Sequence, residues 1–167
     1  MKYKSVNELD NFQFHDAQIK NILLTDTEMM WDVSAINATT QNTQNDHPKD
    51  MCIENATMKF ENVCIKNLVF GAYTVHDSDN NLIESVDATT AMPEEYTEIL
   101  TESTNSYCFI YGMDELQQNP DNTYSVCFNI DGGAGNYYLT FSFSLSTIEW
   151  DKFSGEAWYE HPKWKKQ

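Results

Sequence analysis

The stretch Tyr124-Ser125-Val126-Cys127-Phe128-Asn129-Ile130-Asp131-Gly132-Gly133-Ala134-Gly135-Asn136-Tyr137-Tyr138-Leu139-Thr140-Phe141-Ser142-Phe143-Ser144-Leu145 decides the fold class. Tyr124, Val126, Phe128 and Ile130 recur at every second position, as do Tyr137, Leu139, Phe141, Phe143 and Leu145. A period of two belongs to the β-strand, whose side chains point alternately to opposite faces. Asp131 to Asn136 supplies the turn between the two runs. The second run sets its apolar residues against Tyr138, Thr140, Ser142 and Ser144, so the hairpin covers a core on one face and meets water on the other.

Working outward, the same alternation marks Met29, Trp31, Val33 and Ala35, preceded by a strand that reaches Leu24. Strand character returns over Met51 to Phe60, Val63 to Val75 and Tyr107 to Tyr111, with Glu61-Asn62 and Asp77 to Asn81 as turns. Ser5 with Glu8 three residues on predicts a capping box and a short helix through Phe12. Pro93, Glu94 and Glu95, followed by Tyr96, Ile99 and Leu100 at helical spacing, predict a second short helix. Asp114 to Asn119 reads as no more than a helical turn. The polar run from Thr39 to Asp50 predicts a solvated, mobile loop, and residues 160–167 a flexible lysine-rich tail. The expectation is one domain over residues 1–167, mainly β. It is an antiparallel sandwich or strongly curved sheet with one or two short peripheral helices.

Composition narrows the function. Ten lysines face twenty-six carboxylates, for a net charge of -16, and the chain has no arginine. Arginine is the residue of choice for gripping phosphate and guanine. An acidic chain without it argues against nucleic acid and anionic membrane, and suits either plain solubility or a basic partner. The Asn-, Lys- and Ile-rich composition fits an AT-rich bacterial coding sequence, which by itself would also deplete arginine. No apolar signal region or bilayer-length apolar run is present. Cys52, Cys64, Cys108 and Cys127 are widely spaced within strand-like runs, which reads as free thiols in a reducing cytoplasm rather than a zinc site.

The chemical motifs are few. His15-Asp16 could act as a base with its carboxylate, or could cap a turn, since neighbours on a strand point to opposite faces. His76 to Asn81 resembles the start of a calcium loop. It lacks the loop's glycine, because Leu82 stands there, and the closing glutamate, where Ala88 stands, so a hairpin turn is the better reading. The glycine cluster lies between two strands and not before a helix, so it is a turn and not a phosphate cradle. Nothing calls for a cofactor or a metal. The C-terminal run holds Trp150, Phe153, Trp158, Tyr159 and Trp164. The residues that would form an interface there are Glu149, Trp150, Asp151, Glu156, Trp158 and Tyr159, aromatic anchors among carboxylates. The other reading is that Trp150 and Trp158 close one end of the core.

Phe14-His15-Asp16-Ala17-Gln18-Ile19-Lys20-Asn21-Ile22 resembles the Phe-His-Asp-x-x-Ile opening of small bacterial β-rich proteins, several grouped with polymorphic-toxin immunity proteins. Ile148 to Tyr159 is similar to the ends of proteins from Gram-positive gut bacteria. The resemblance implies a cytoplasmic, non-enzymatic protein that binds and blocks a basic toxin domain. Two other functions stay open at this point. One is a small-molecule-binding β domain with a pocket lined by Trp31, Phe128, Phe141 and Phe143; the other is a hydrolase using His15.

Overall fold

Burial alternates along most of the longer strands of the computed structural model, which describes residues 1–161. In chain order the strands are β1 (Tyr3–Val6), β2 (Phe12–Gln13), β3 (Ala17–Leu24), β4 (Glu28–Ser34), β5 (Ile36–Ala38), β6 (Met51–Ile53), β7 (Ala56–Glu61), β8 (Cys64–Phe70) and β9 (Tyr73–His76). There follow β10 (Leu82–Val86), β11 (Thr89–Thr90), helix α1 (Tyr96–Ser103), β12 (Cys108–Met113), β13 (Gln117–Gln118), β14 (Tyr124–Gly132), β15 (Gly135–Phe143), β16 (Leu145–Trp150) and β17 (Gly155–Glu156).

The main sheet is antiparallel, in the order β1-β16-β7-β4-β3-β12-β14-β15-β8-β11, with β13 added alongside β14. Two bent ribbons give it strong curvature. β7 leads into β8 and β15 into β16, and these ribbons pair on both sides of a corner: Ser142 with Cys64 before it, Leu145 with Glu61 after it. At the corner the Ser144 amide donates to the Glu61 carbonyl at 2.9 Å. The Asn62 side-chain amide donates to the Ser144 hydroxyl at 2.8 Å. The half made of β1, β16, β7, β4 and β3 is thereby folded over the half made of β12, β14, β15, β8 and β11. The sheet is not closed into a barrel, and β1 and β11 are its edges.

Aromatic rings fill the space between the halves. Trp31 on β4 lies edge-on to Phe128 at 4.9 Å and Phe141 at 6.2 Å. Phe60 on β7 meets Phe141 at 5.0 Å and Phe143 at 5.1 Å. Phe128 and Phe141, on neighbouring strands, are stacked at 6.0 Å. Such edge-to-face and offset pairs add about 0.5–1.5 kcal/mol each beyond their burial. A smaller sheet, β17-β6-β5-β2, covers one end of this core. The chain passes between the two sheets at Ala35, whose φ of 60° is left-handed, and again at Glu54-Asn55. That switch is why the single strand expected over Met51 to Phe60 is two strands.

Several other expectations are corrected. The N-terminal helix does not form. Ser5 sits in β1 opposite Ile148, and only a 3-10 turn, Leu9–Asn11, follows. The Ser5–Glu8 side-chain hydrogen bond that suggested a capping box is present, but it joins a strand to a turn. Asp114 to Asn119 includes the short strand β13 instead of a helical turn. The strand expected from Val63 to Val75 breaks at Gly71-Ala72 into β8 and β9. The second helix is as expected, with Tyr96 and Leu100 buried after a 3-10 turn at Pro93–Glu95. The 39–50 segment is tied to the body: the buried Asn45 side chain donates to the carbonyls of Ala38, Thr39 and Lys49. From residue 162 on, the tail lies outside the described residues, and Trp164 with it.

The glycine turn has a second duty. Gly133-Ala134 is a two-residue hairpin connection between Gly132 and Gly135. It presses against the end of α1, where the Gly133 amide donates to the Ser103 carbonyl at 3.0 Å. A Cβ at Gly132 would lie 2.7 Å from that same oxygen, so only glycine permits the approach.

Candidate functional site

The C-terminal aromatic cluster is divided by the fold. Trp150 is 0% exposed, stacked on Tyr3 at 5.3 Å and edge-on to Phe12, so it closes the core and cannot touch a partner. Trp158 stays 57% exposed and lies edge-on to Tyr159. Tyr159 donates its hydroxyl to Asp50 at 2.9 Å, and burial together with that bond pushes its pKa up. The carboxylates of this patch are matched locally. Glu149 pairs with Lys4 at 3.0 Å, Glu156 with Lys49 at 2.6 Å, and Asp151 lies 3.8 Å from the Met1 amino group. A patch whose charges are already matched projects little field towards a basic partner.

His15 and Asp16 form a tight turn. The Ala17 amide donates to the Phe14 carbonyl at 2.8 Å, and Asp16 takes a φ of 64°, a left-handed value that Asp tolerates. The His15 Nδ1–H donates to the Tyr111 carbonyl at 2.9 Å, which leaves Nε2 3.5 Å from the Asp16 carboxylate. The adjoining depression of about 290 Å³ is lined by Asp10, Asp114 and Glu115, and no Ser, Thr or Cys lines it to serve as a nucleophile. The arrangement locks the start of β3 against β12. Among the described residues no group of three or more His, Cys, Asp or Glu is placed to hold a metal ion. No helix among them is long and apolar enough to cross a membrane.

Trp31, Phe128, Phe141 and Phe143, the expected pocket lining, are fully buried against one another. They are the core, and the space they would have lined is occupied by their own rings.

Charge is where the fold adds most. Residues 67–151 hold fourteen Asp and Glu and not one Lys or Arg, while the rest of the chain carries ten lysines against twelve carboxylates. Residues 67–132 build β9 to β14 and the end of β8 on one half of the curved sheet, together with α1, which packs across β14 and β3. None of the carboxylates from Asp77 to Asp131 has a salt-bridge partner among the described residues. Lys4, Lys20 and Lys59 lie on the opposite half, on β1, β3 and β7. Lys66 on β8 is the exception, and its charge reaches Asp121. Among the described residues, unmatched negative charge is thus concentrated on one half, while the other half mixes lysines with carboxylates.

From the acidic half projects an arm. β8 and β11 pair at Phe70–Thr89 and Val69–Thr90, and the pairing resumes beyond Gly71-Ala72 as β9 with β10, Tyr73 opposite Val86. Beyond that joint no described residue covers either face. Tyr73 is 56% exposed, Leu82 59% and Ile83 64%, and a bulge between Leu82 and Glu84 leaves Ile83 without a cross-strand partner. The tip is fixed by Asp77, which accepts from the amides of Asp79 and Asn81 and from the Asn81 side chain. Those bonds favour the carboxylate and lower its pKa. The hairpin turn expected at Asp77 to Asn81 is thus an Asx-type turn. Where the arm leaves the sheet, a groove of about 600 Å³ opens between Phe70, Tyr73, Val86 and Asp87 on one side and Gly135 and Asn136 on the other.

No family model matches the chain, and no curated protein and no solved structure is significantly similar to it. The arm and the charge division escaped sequence reading for different reasons. The lysine gap over 67–151 was countable along the chain. The exposure of the arm was not, because Tyr73, Val75, Leu82 and Ile83 read as ordinary strand residues.

Proposed function

We propose that this protein is a non-enzymatic acidic binding module of the immunity type, which holds and blocks a basic protein. Its contact surface is the lysine-poor half with the projecting arm. The observation that supports the reading is the segregation of charge: twelve carboxylates and no Lys or Arg over residues 67–132, none of them in a salt bridge among the described residues. A charge spread for solubility alone would be interspersed with lysine on both halves. A one-sided field steers a basic partner to one face and speeds association at low salt. Tyr73, Leu82 and Ile83 supply exposed apolar anchors on the two faces of the arm, and Asp79, Glu84 and Asp87 are exposed carboxylates of the same arm. The four free thiols suit a reducing, cytoplasmic setting.

The test compares two neutralised variants as bait in a lysate of the source organism, eluted by stepped salt. One carries Glu84→Gln, Glu94→Gln and Glu98→Gln on the acidic half; the other carries Asp26→Asn, Asp46→Asn and Glu54→Gln elsewhere. The expected result is a stoichiometric basic protein held by the native chain and the second variant, released by moderate salt and lost from the first. Equal retention by both variants, or an empty bait at low salt, would overturn the reading.

A further inference from the structure

Resting on that reading, we propose that the groove at the root of the arm receives an arginine side chain of the basic partner. The groove offers three things that an arginine uses together. Its apolar wall is the rings of Phe70 and Tyr73 with Val86. Phe70 is held in place edge-on to Tyr137 at 5.8 Å, and Gly135 keeps its flank open, since a Cβ there would sit 3.8 Å from the Phe70 ring. At the rim stands the Asp87 carboxylate, which has no salt-bridge partner among the described residues.

The third element is an acceptor. Asn136 donates its Nδ2 to the Asn129 side-chain oxygen at 3.0 Å, which fixes the amide and turns its Oδ1 towards Gly71. A Cβ at Gly71 would lie 3.9 Å from that oxygen, so the missing side chain leaves Oδ1 facing the groove. A guanidinium is planar and weakly hydrated, can lie flat on an aromatic face, and donates in its own plane to a carboxylate and an amide oxygen at once. An ammonium can make the charge contact but not the stack with the fork. The chain has no arginine of its own to compete for the site.

The experiment is an amide NMR titration of the full chain with the peptide acetyl-Gly-Arg-Gly-Arg-Gly-amide. The same peptide with citrulline or with lysine in place of arginine serves as control. The expected result is a set of shifts confined to residues 69–73, 86–89 and 134–137, roughly tenfold weaker binding for citrulline, and weaker binding for lysine. Asp87→Asn is expected to weaken the arginine peptide by a similar factor. Val86→Trp, which fills the groove, is expected to abolish the localised shifts while leaving spectral dispersion intact. Equal binding of the lysine and arginine peptides, with shifts spread over the whole acidic half, would overturn the groove assignment. So would citrulline binding as well as arginine, or no shifts at all. Those outcomes leave the binding-module reading to its own test, because the variants used there do not touch the groove.

Discussion

The hairpin β14–β15 and the hairpin β9–β10 are both antiparallel, both tightly turned, and both built from residues that favour strands. In the first, every second side chain from Val126 to Ile130 and from Tyr137 to Phe143 is buried. In the second, the side chains are exposed on both faces, with only Val86 half-buried. The difference is not in propensity but in what lies opposite. β14 and β15 have β4 and β7 folded over them; β9 and β10 have left the sheet at Gly71-Ala72 and meet solvent. A strand pattern announces a strand, and only a facing layer makes it core. The arm keeps apolar surface in solvent, which is the surface the proposed binding function would use.

The largest effect should come from breaking the buried side of this contrast. Phe141→Ala removes a ring that touches Trp31, Phe60, Phe128 and Phe143, and is expected to lower stability by about 3–5 kcal/mol in urea denaturation. Gly132→Ala should come next, at about 1–3 kcal/mol, because the new methyl meets the rigid Ser103 carbonyl at the end of α1.

An intermediate effect is expected from alkali. Burial raises the Cys108 thiol from 9.0 to about 12, and burial also raises Tyr137. In the unfolded chain these groups lose their protons at lower pH than in the folded one, so the unfolded state binds fewer protons and gains on the folded state as pH rises. Stability is therefore complete below about pH 9 and is expected to fall between roughly pH 9 and pH 12, measured as a dropping denaturation midpoint. In the same window native Cys108 should resist alkylation while the exposed Cys64 reacts.

The smallest effect on stability sharpens the comparison from the other side. Ile83→Ser on the arm should change stability by no more than about 0.5 kcal/mol, since its side chain is solvated in the folded protein too. Amides of β9 and β10 should exchange with solvent through local opening well before those of Phe128 and Leu139, which open only with the core. An arm as protected as the core would mean that it is covered, and the proposed contact surface would have to move.

The alternation over 124–145, the turn at Gly133-Ala134, the helix after Pro93 and the mainly β character were legible because each depends on residues a few positions apart. The acidity and the lack of arginine were legible as counts. What the chain order could not supply was which segments meet. Leu145 pairs with Glu61 and Trp150 with Ala56, contacts set by strand order across more than eighty residues. That order buried Trp150, matched Glu149 and Glu156 with Lys4 and Lys49, and so removed the C-terminal patch as a source of field. It also gathered most of a lysine-free stretch of sequence into one half of a curved sheet and left the arm at its edge. Local patterning determined the strands and the total charge. Long-range pairing decided which apolar residues found a facing layer and which carboxylates found a cation, because burial and charge neutralisation depend on neighbours in space.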